Sequence, residues 1–130
     1  MPTEPILIVD DNPMNLKLAR VMLAAEGYEV WTAEDSGEAL AALEKVHPRL
    51  ILMDIQLPGV DGLELTRRLK GAPATSDIII LAVTAYAMKG DDEKALAAGC
   101  DGYVTKPLDT RTLPALIAEH LRRPASEGDA

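Results

Sequence analysis

The chain has 130 residues, and its 13 Lys and Arg residues against 21 Asp and Glu residues give a formal net charge of −8. With 48% apolar and 26% charged residues, its composition is typical of a folded globular domain rather than a disordered chain. The acidic balance argues against direct binding to nucleic-acid phosphates, and the single cysteine, Cys100, excludes an internal disulfide and a cysteine-rich zinc site.

Three continuous apolar runs predict the buried strands of a parallel sheet. They cover residues 6–9, 50–53 and 78–83, and their apolar residues do not alternate with polar ones. Two further runs, at residues 28–33 and 101–105, mix polar and apolar positions. This mixture favours strands at the two edges of the sheet, where one side of each strand is less covered.

The first predicted helix follows the first strand. Asn12 is a good helix cap and Pro13 suits the first helical position, so the helix begins here, and it ends near Gly27. Its apolar residues recur at helical spacing. We expect the following residues to point into the core: Met14, Leu18, Val21, Met22 and Ala25.

Four more helices are predicted after the remaining strands. The second begins at Ser36 and is stopped by Pro48, and the third begins with the capping-box spacing of Asp61 and Glu64. The fourth, residues 88–98, has little apolar surface beyond Leu96, so we expect it to be the loosest. Three helices have faces expected to pack on the sheet: Leu40 and Leu43 in the second, Leu65 and Leu69 in the third, and Leu113, Leu116, Ile117 and Leu121 in the last.

Five alternations of strand and helix predict one α/β domain, residues 5–122, with helices on both faces of a five-stranded parallel sheet. With the three apolar strands in the centre, the strand order is 2-1-3-4-5, the flavodoxin-like doubly wound (βα)5 arrangement. Residues 1–4 and 123–130 are expected to be flexible termini. No apolar run reaches the roughly 18 residues of a membrane span, and the N-terminus lacks a basic leader, so we expect a cytoplasmic protein that does not contact membranes.

Three acidic residues follow the strands that flank the point where the strand order reverses, which is where ligands bind in such sheets. Asp10 and Asp11 end the first strand and Asp54 ends the third. Two carboxylates 4 Å apart repel by about 4 kcal/mol at an effective dielectric constant near 20. This repulsion must be offset by protonation or by a bound cation, and an oxygen-only cluster suits Mg²⁺.

The ends of the other two strands supply a hydroxyl and an ammonium group. Thr84 follows the fourth strand and Lys106 follows the fifth. A hard cation, a lysine and a hydroxyl donor around a carboxylate are the groups that phosphoryl transfer requires. The sequence therefore predicts a phosphoryl-transfer site at this edge of the sheet.

At these positions the sequence resembles the response regulator receiver domain of bacterial two-component signalling, a CheY-like family. The resemblance runs from about Pro5 to Arg122. It rests on Val9-Asp10-Asp11, on residues 53–62, on Val83-Thr84-Ala85 and on Lys106-Pro107. The stretch 83–91 is also similar to single-domain cell-division regulators within this family.

The resemblance implies a set of roles at the acidic site. Asp54 accepts a phosphoryl group from a sensor histidine kinase or a histidine phosphotransfer protein. Mg²⁺, with Mn²⁺ as an alternative, contacts Asp11, Asp54 and the backbone carbonyl of Gln56, while Asp10 acts largely through water. Lys106 pairs with Asp54 and then with the phosphoryl oxygens. Such a protein catalyses only its own phosphorylation and dephosphorylation.

The resemblance also implies a switch. Thr84, the Ala85 backbone and Lys106 bind the phosphoryl group, Thr84 moves toward it, and Tyr103 then turns inward. The Lys106-Pro107 bond is expected to be cis, which costs an X–Pro bond only about 0.5–1 kcal/mol. A downstream effector protein is expected to read the surface of the fourth helix, the fifth strand and the last helix. The protein is expected to be a monomer or a phosphorylation-dependent dimer.

Three alternatives remain open from the sequence. The chain is a phosphate-independent interaction adaptor, a receiver piece of a larger response regulator or hybrid kinase, or a Mg²⁺ phosphohydrolase. The last is disfavoured because Gln56 stands where an aspartyl phosphohydrolase needs a second acid. A flavin site is disfavoured because the first strand-to-helix turn is anionic rather than rich in glycine and hydroxyl groups.

Overall fold

Five parallel strands form one sheet in the computed structural model of the chain, which describes residues 4–55, 62–84, 96–105 and 111–121. The strand order is β2-β1-β3-β4-β5, which confirms the predicted order, with β2 and β5 at the edges. The strands are β1 (Pro5–Val9), β2 (Glu29–Ala33), β3 (Leu50–Asp54), β4 (Ile79–Thr84) and β5 (Gly102–Thr105).

The two faces of the sheet form two separate cores, because successive side chains of a strand point to opposite sides. Leu7, Ile51 and Ile80 lie in one core, and their neighbours Ile6 and Leu50 lie in the other. Every residue of β3 and β4 is buried. Burial on both faces explains why these strands read as continuous apolar runs in the sequence.

In the described part of the chain, four helices of eight or more residues cover the two faces of the sheet. They are α1 (Pro13–Ala25), α2 (Ser36–Leu43), α3 (Gly62–Gly71) and α4 (Leu113–Leu121). Helices α1 and α4 pack on one face, and α2 and α3 pack on the other. Of the predicted fourth helix, residues 96–98 are described and are helical, and the rest lies outside the described residues. Within the described ranges, no helix combines the length and the apolar character that crossing a bilayer requires.

Both ends of α1 follow the prediction. The side chain of Asn12 accepts a hydrogen bond from the backbone N–H of Met14 at 2.9 Å, and Pro13 occupies the first turn. Gly27, just beyond the helix, has a φ of +95°, a conformation that glycine adopts at little cost. The local residues therefore fix where this helix begins and ends.

The predicted inward face of α1 is wrong. Leu16, Ala19 and Leu23 are the buried residues, whereas the side chains of Met14 and Val21 are 73% and 62% exposed. Of the other residues expected in the core, Leu18 and Ala25 are exposed and Met22 is half-buried. Helix α1 has two apolar stripes on nearly opposite sides, and the sheet contacts the stripe that contains the smaller Ala19.

Helix α2 also packs on the sheet through small residues. Leu40 was expected in the core but its side chain is 42% exposed, while Ala39 and Ala42 are buried and Leu43 is half-buried. The helix ends at Leu43, a few residues before the predicted stop. Alanine lets the helix axis approach the sheet closely. The two alanines therefore face the sheet, and the side chain of Leu40 stays exposed.

The remaining helix predictions have mixed outcomes. The inward faces of α3 and α4 are confirmed, because Leu65, Leu69, Leu113, Ile117 and Leu121 are buried and Leu116 is half-buried against the core. Leu96 is exposed, and Ala98 is buried instead. The predicted flexible termini lie outside the described residues, apart from Glu4, which pairs with Arg49. The domain boundaries stay predictions.

Candidate functional site

The three acidic side chains converge at the carboxyl edge of the sheet, as the sequence predicts. Strands β1 and β3 are hydrogen-bonded neighbours in which Val9 lies opposite Met53, so the residues that follow, Asp10 and Asp54, reach the same edge. One carboxylate oxygen from each of Asp10, Asp11 and Asp54 lies within 4.8 Å of the other two. This is a spacing at which one ion can contact all three.

The position of the cluster makes its negative charge costly. Asp10 and Asp54 are only 3% and 2% exposed, and Asp11 is exposed. Water therefore screens the first two carboxylates weakly, and each close pair repels by several kcal/mol. The donor set consists of carboxylate oxygens with one open side, which fits a hard divalent cation such as Mg²⁺ or Mn²⁺.

Asp10 is held by the beginning of α1. Its Oδ1 accepts a hydrogen bond from the backbone N–H of Asn12 at 2.8 Å, and its Oδ2 accepts one from the Asn15 side-chain amide at 3.3 Å. Its own N–H donates to the carbonyl of Ala33 in β2 at 3.0 Å. Strand β2 and helix α1 thus fix the backbone and the side chain of Asp10.

The backbone of Asp54 and Ile55 lies directly against the beginning of α3. Gly62 begins this helix and donates its N–H to the Ile55 carbonyl at 3.2 Å. A Cβ atom at Gly62 would lie 2.1 Å from the Asp54 carbonyl oxygen, which is closer than atoms can pack. The Thr66 hydroxyl donates to the Gly62 carbonyl at 2.8 Å, and this contact is buried. Glycine is therefore required for α3 to begin against the end of β3.

Thr84 ends β4 at the same edge. Its strand neighbour Val83 lies opposite Asp54 in the sheet, and the Val83 carbonyl accepts a hydrogen bond from the Ile55 N–H at 3.1 Å. Thr84 is buried. Tyr103 lies on edge strand β5 opposite Ala82, with a side chain that is 39% exposed.

Four of the predicted site residues, Gln56, Ala85, Lys106 and Pro107, lie outside the described residues. Their positions and the implied cis peptide bond therefore stay predictions. The roles assigned to the described residues also stay predictions, although the convergence of the three acids is a geometric fact.

The sequence analysis missed two residues of the site, Asn15 and Gly62. Asn15 is a polar residue in the first turn of a helix that directly follows an acidic strand end, and this placement could have identified it. Gly62 was read only as part of a helix-start pattern. Nothing in a single sequence indicates that a backbone approaches it from a neighbouring strand.

Comparison with known proteins agrees with this geometry. Residues 6–118 match the family "Response regulator receiver domain". The polar-differentiation response regulator DivK of Brucella ovis is 44% identical over 119 residues, which cover 92% of this chain and 97% of the relative. The same regulator of Brucella anthropi is 43% identical over 116 residues, covering 89% and 94%.

Solved structures give the same result. A CheY-like response regulator receiver domain protein from Methanospirillum hungatei superposes with a TM-score of 0.85 at 36% identity, covering 93% of this chain and 95% of that one. The chemotaxis response regulator CheY4 of Vibrio cholerae also has a TM-score of 0.85, at 27% identity, covering 91% and 98%. By sequence, fold and the acidic edge of its sheet, the chain belongs to the response regulator receiver domain family.

Proposed function

We propose that the protein is a phosphorylation-dependent signalling switch in which Asp54 accepts a phosphoryl group in a Mg²⁺-dependent reaction. The donor is a phosphohistidine on a sensor histidine kinase or a histidine phosphotransfer protein, as is usual for the family. The convergence of Asp10, Asp11 and Asp54 within 4.8 Å carries this proposal. Two of these acids are buried, so a divalent cation bound between them would offset a large part of their mutual repulsion.

In the proposed reaction, a carboxylate oxygen of Asp54 attacks the phosphorus atom of the phosphohistidine. The P–N bond breaks as the new O–P bond forms, and the imidazole leaves with the electron pair. A Mg²⁺ ion bound there would supply positive charge near the phosphoryl oxygens while the bonds change. Asp10 and Asp11 would hold this ion together with Asp54 and the Gln56 carbonyl, and Lys106 and Thr84 would donate to the phosphoryl oxygens.

The protein is not a turnover enzyme in this proposal. Its chemistry consists of its own phosphorylation and the later hydrolysis of the aspartyl phosphate. Gln56, two residues after Asp54, cannot serve as the acid that a phosphohydrolase uses to protonate a leaving group. The chain therefore lacks, at this position, the acid that turnover of a small phosphomonoester requires.

The consequence of phosphorylation is a change in the surface that partners bind. The phosphoryl group adds about 1.5–2 negative charges beside Thr84. Moving Thr84 toward it leaves space for Tyr103 to turn inward. This alters the surface formed by the helix predicted over residues 88–98, by β5 and by the last helix, α4. A nearly complete change of state requires a preference of about 5 kcal/mol. We place the effector protein on this surface and the switch in the cytoplasm, acting as a monomer or a phosphorylation-dependent dimer.

Acetyl phosphate with Mg²⁺ tests the proposal without a cognate kinase. We expect the intact protein to gain the mass of one phosphoryl group, and Asp54→Asn to gain none. Asp77→Asn is the matched control, because Asp77 is an exposed acid that pairs with His47 away from the site. It should be phosphorylated like the wild type.

Two outcomes would contradict the proposal. One is a wild-type protein that stays unmodified in Mg²⁺, and the other is a label that survives Asp54→Asn. Partner binding that does not change with phosphorylation would instead support the phosphate-independent adaptor.

A further inference from the structure

We propose that Asn15 is a positioning residue of the cation site, which acts by fixing the carboxylate of Asp10. This inference rests on the proposed binding of Mg²⁺ at the acidic cluster. It assigns a purpose to the contact between the Asn15 amide and Asp10 Oδ2 at 3.3 Å.

The two oxygens of Asp10 are held by two different donors of one helix. Oδ1 is bound by the backbone N–H of Asn12 at 2.8 Å, and Oδ2 is bound by the Asn15 side chain. Asn12 is itself fixed, because its side chain accepts the N–H of Met14 and caps α1. Donors on both oxygens favour one orientation of the carboxylate plane.

The backbone of Asn15 is well anchored. The next residue, Leu16, packs into the core beside Ala19 and Leu23, and this holds the first turn of α1 against the sheet. The half-buried Asn15 side chain therefore reaches Asp10 from a fixed point. An orienting group is useful only when its own position is determined in this way.

An amide suits this position better than a charged donor. Without the Asn15 bond, Oδ2 of Asp10 would lose a donor, and repulsion from Asp11 and Asp54 would favour rotation of the carboxylate away from them. A lysine or arginine would oppose that movement but would also neutralise Asp10 and compete with the cation. The Asn15 amide holds the carboxylate and leaves its full negative charge for the ion.

The first test is the affinity for Mg²⁺, measured by calorimetry on the full chain. We expect Asn15→Ala to bind Mg²⁺ about five- to tenfold more weakly than wild type, at the low end of the range for groups that orient metal ligands because the bond is long. Asn15→Leu, which keeps the shape of the side chain and removes its donors, should show the same loss. Val21→Ala, an exposed neutral substitution on the same helix, should change the affinity less than twofold.

A double-mutant cycle separates positioning from a general structural effect. If Asn15 acts through Asp10, then Asn15→Ala in an Asp10→Asn background should weaken Mg²⁺ binding less than twofold further. An equal loss in both backgrounds would overturn the inference, as would unchanged affinity in Asn15→Ala. Wild-type protein that binds no Mg²⁺ would contradict the proposed function instead.

The contact itself can be observed by NMR without any metal. The chain has two asparagines and one glutamine, so the wild-type spectrum contains three side-chain amide pairs, Asn12, Asn15 and Gln56, and each Asp→Asn variant adds one more. We expect the Asn15 pair to shift in metal-free Asp10→Asn and to stay in place in metal-free Asp77→Asn. An Asn15 pair that is insensitive to Asp10→Asn would overturn the inference even if the affinities followed it.

Discussion

At Gly62, a Cβ atom would lie 2.1 Å from the Asp54 carbonyl oxygen and 2.8 Å from the Cα of Ile55. Both neighbours are backbone atoms, one of Asp54 at the end of β3 and one of Ile55 directly after it. Neither can move aside as a flexible side chain would, so a larger residue must displace α3 or the end of β3. A substitution at Gly62 is therefore expected to change both the free energy of unfolding and the position of Asp54.

We expect Gly62→Ala to lower the free energy of unfolding by about 1–3 kcal/mol, as overpacking does, and to slow phosphorylation by acetyl phosphate. Gly71→Ala is the matched control at the other end of α3, where a Cβ atom would meet nothing within 4 Å. It should leave the phosphorylation rate unchanged and raise the free energy of unfolding by up to about 1 kcal/mol, because alanine favours the helix. Urea denaturation and the phosphorylation rate measure the two effects, and equal behaviour of the two variants would contradict this account.

Cys100 gives the protein a stability term that depends on pH. Burial raises the pKa of its thiol above the ordinary value of 9.0. The folded protein therefore holds this proton more tightly than the unfolded chain does. The resulting stabilisation is present below pH 9 and is lost as the pH rises through the folded-state pKa.

We expect the stability advantage of wild type over Cys100→Ala to shrink as the pH rises above 9. Chemical denaturation of both proteins at pH 7 to 10 measures this difference, and the comparison removes the contribution of other groups that titrate in this range. A constant difference across the series would show that the thiol does not contribute in this way.

Among the elements, α1 offers the sharpest test of packing. Leu23 is fully buried between the helix and the sheet, whereas Leu18 on the same helix is exposed. We expect Leu23→Ala to cost about 2–5 kcal/mol of unfolding free energy, and Leu18→Ala to cost less than about 1 kcal/mol. Thermal or urea unfolding of the two variants measures this, and similar costs would mean that the opposite stripe faces the core.

The strands were predictable from the sequence, whereas the helix faces were only partly so. A short, continuous apolar run such as Ile78–Val83 predicts a central strand, because a strand buried on both faces must be apolar throughout. In α1, the stripe of Met14, Leu18 and Val21 is as periodic as the one that is buried. Periodicity identifies a helix but cannot choose between two apolar stripes, since that choice depends on how closely small residues let the helix approach the sheet.

The acids of the site were predictable for a related reason. Parallel strands end at a common edge, so Asp10, Asp11 and Asp54 could be brought together from strand order alone. The contact of Asn15 with Asp10 depends on how α1 is rotated about its axis. The sequence analysis predicted the wrong buried face for this helix and therefore the wrong rotation. The approach of Gly62 depends on the path of α3, which no local pattern determines.

For the whole molecule, the acidic cluster links cation binding to folding. Asp10 and Asp54 are far apart in the chain and meet only when β1 pairs with β3. The unfolded chain therefore has no such site, and a cation that binds there stabilises the folded state alone.

At a Mg²⁺ concentration ten times its dissociation constant, we expect a stabilisation of about 1.4 kcal/mol and a rise in Tm of about 4–6 °C. Asp54→Asn should lose most of this rise and, without the cation, should be more stable than wild type because one repulsion is removed. Differential scanning calorimetry with Mg²⁺ and with EDTA measures both effects. A wild-type Tm that is the same under the two conditions would refute the link.

Arg49 joins the two ends of the described fold at the amino ends of the strands, opposite the acidic cluster. Its guanidinium group pairs with Glu4, just before β1, and donates to the carbonyl of Leu121, the last residue of α4, at 3.1 Å. A short linker could therefore connect these two positions, and new termini could be opened in a surface loop. A domain fused at either position would extend from the amino ends of the strands. The acidic cluster at the carboxyl ends would therefore stay accessible in circularly permuted or tandem versions of the protein.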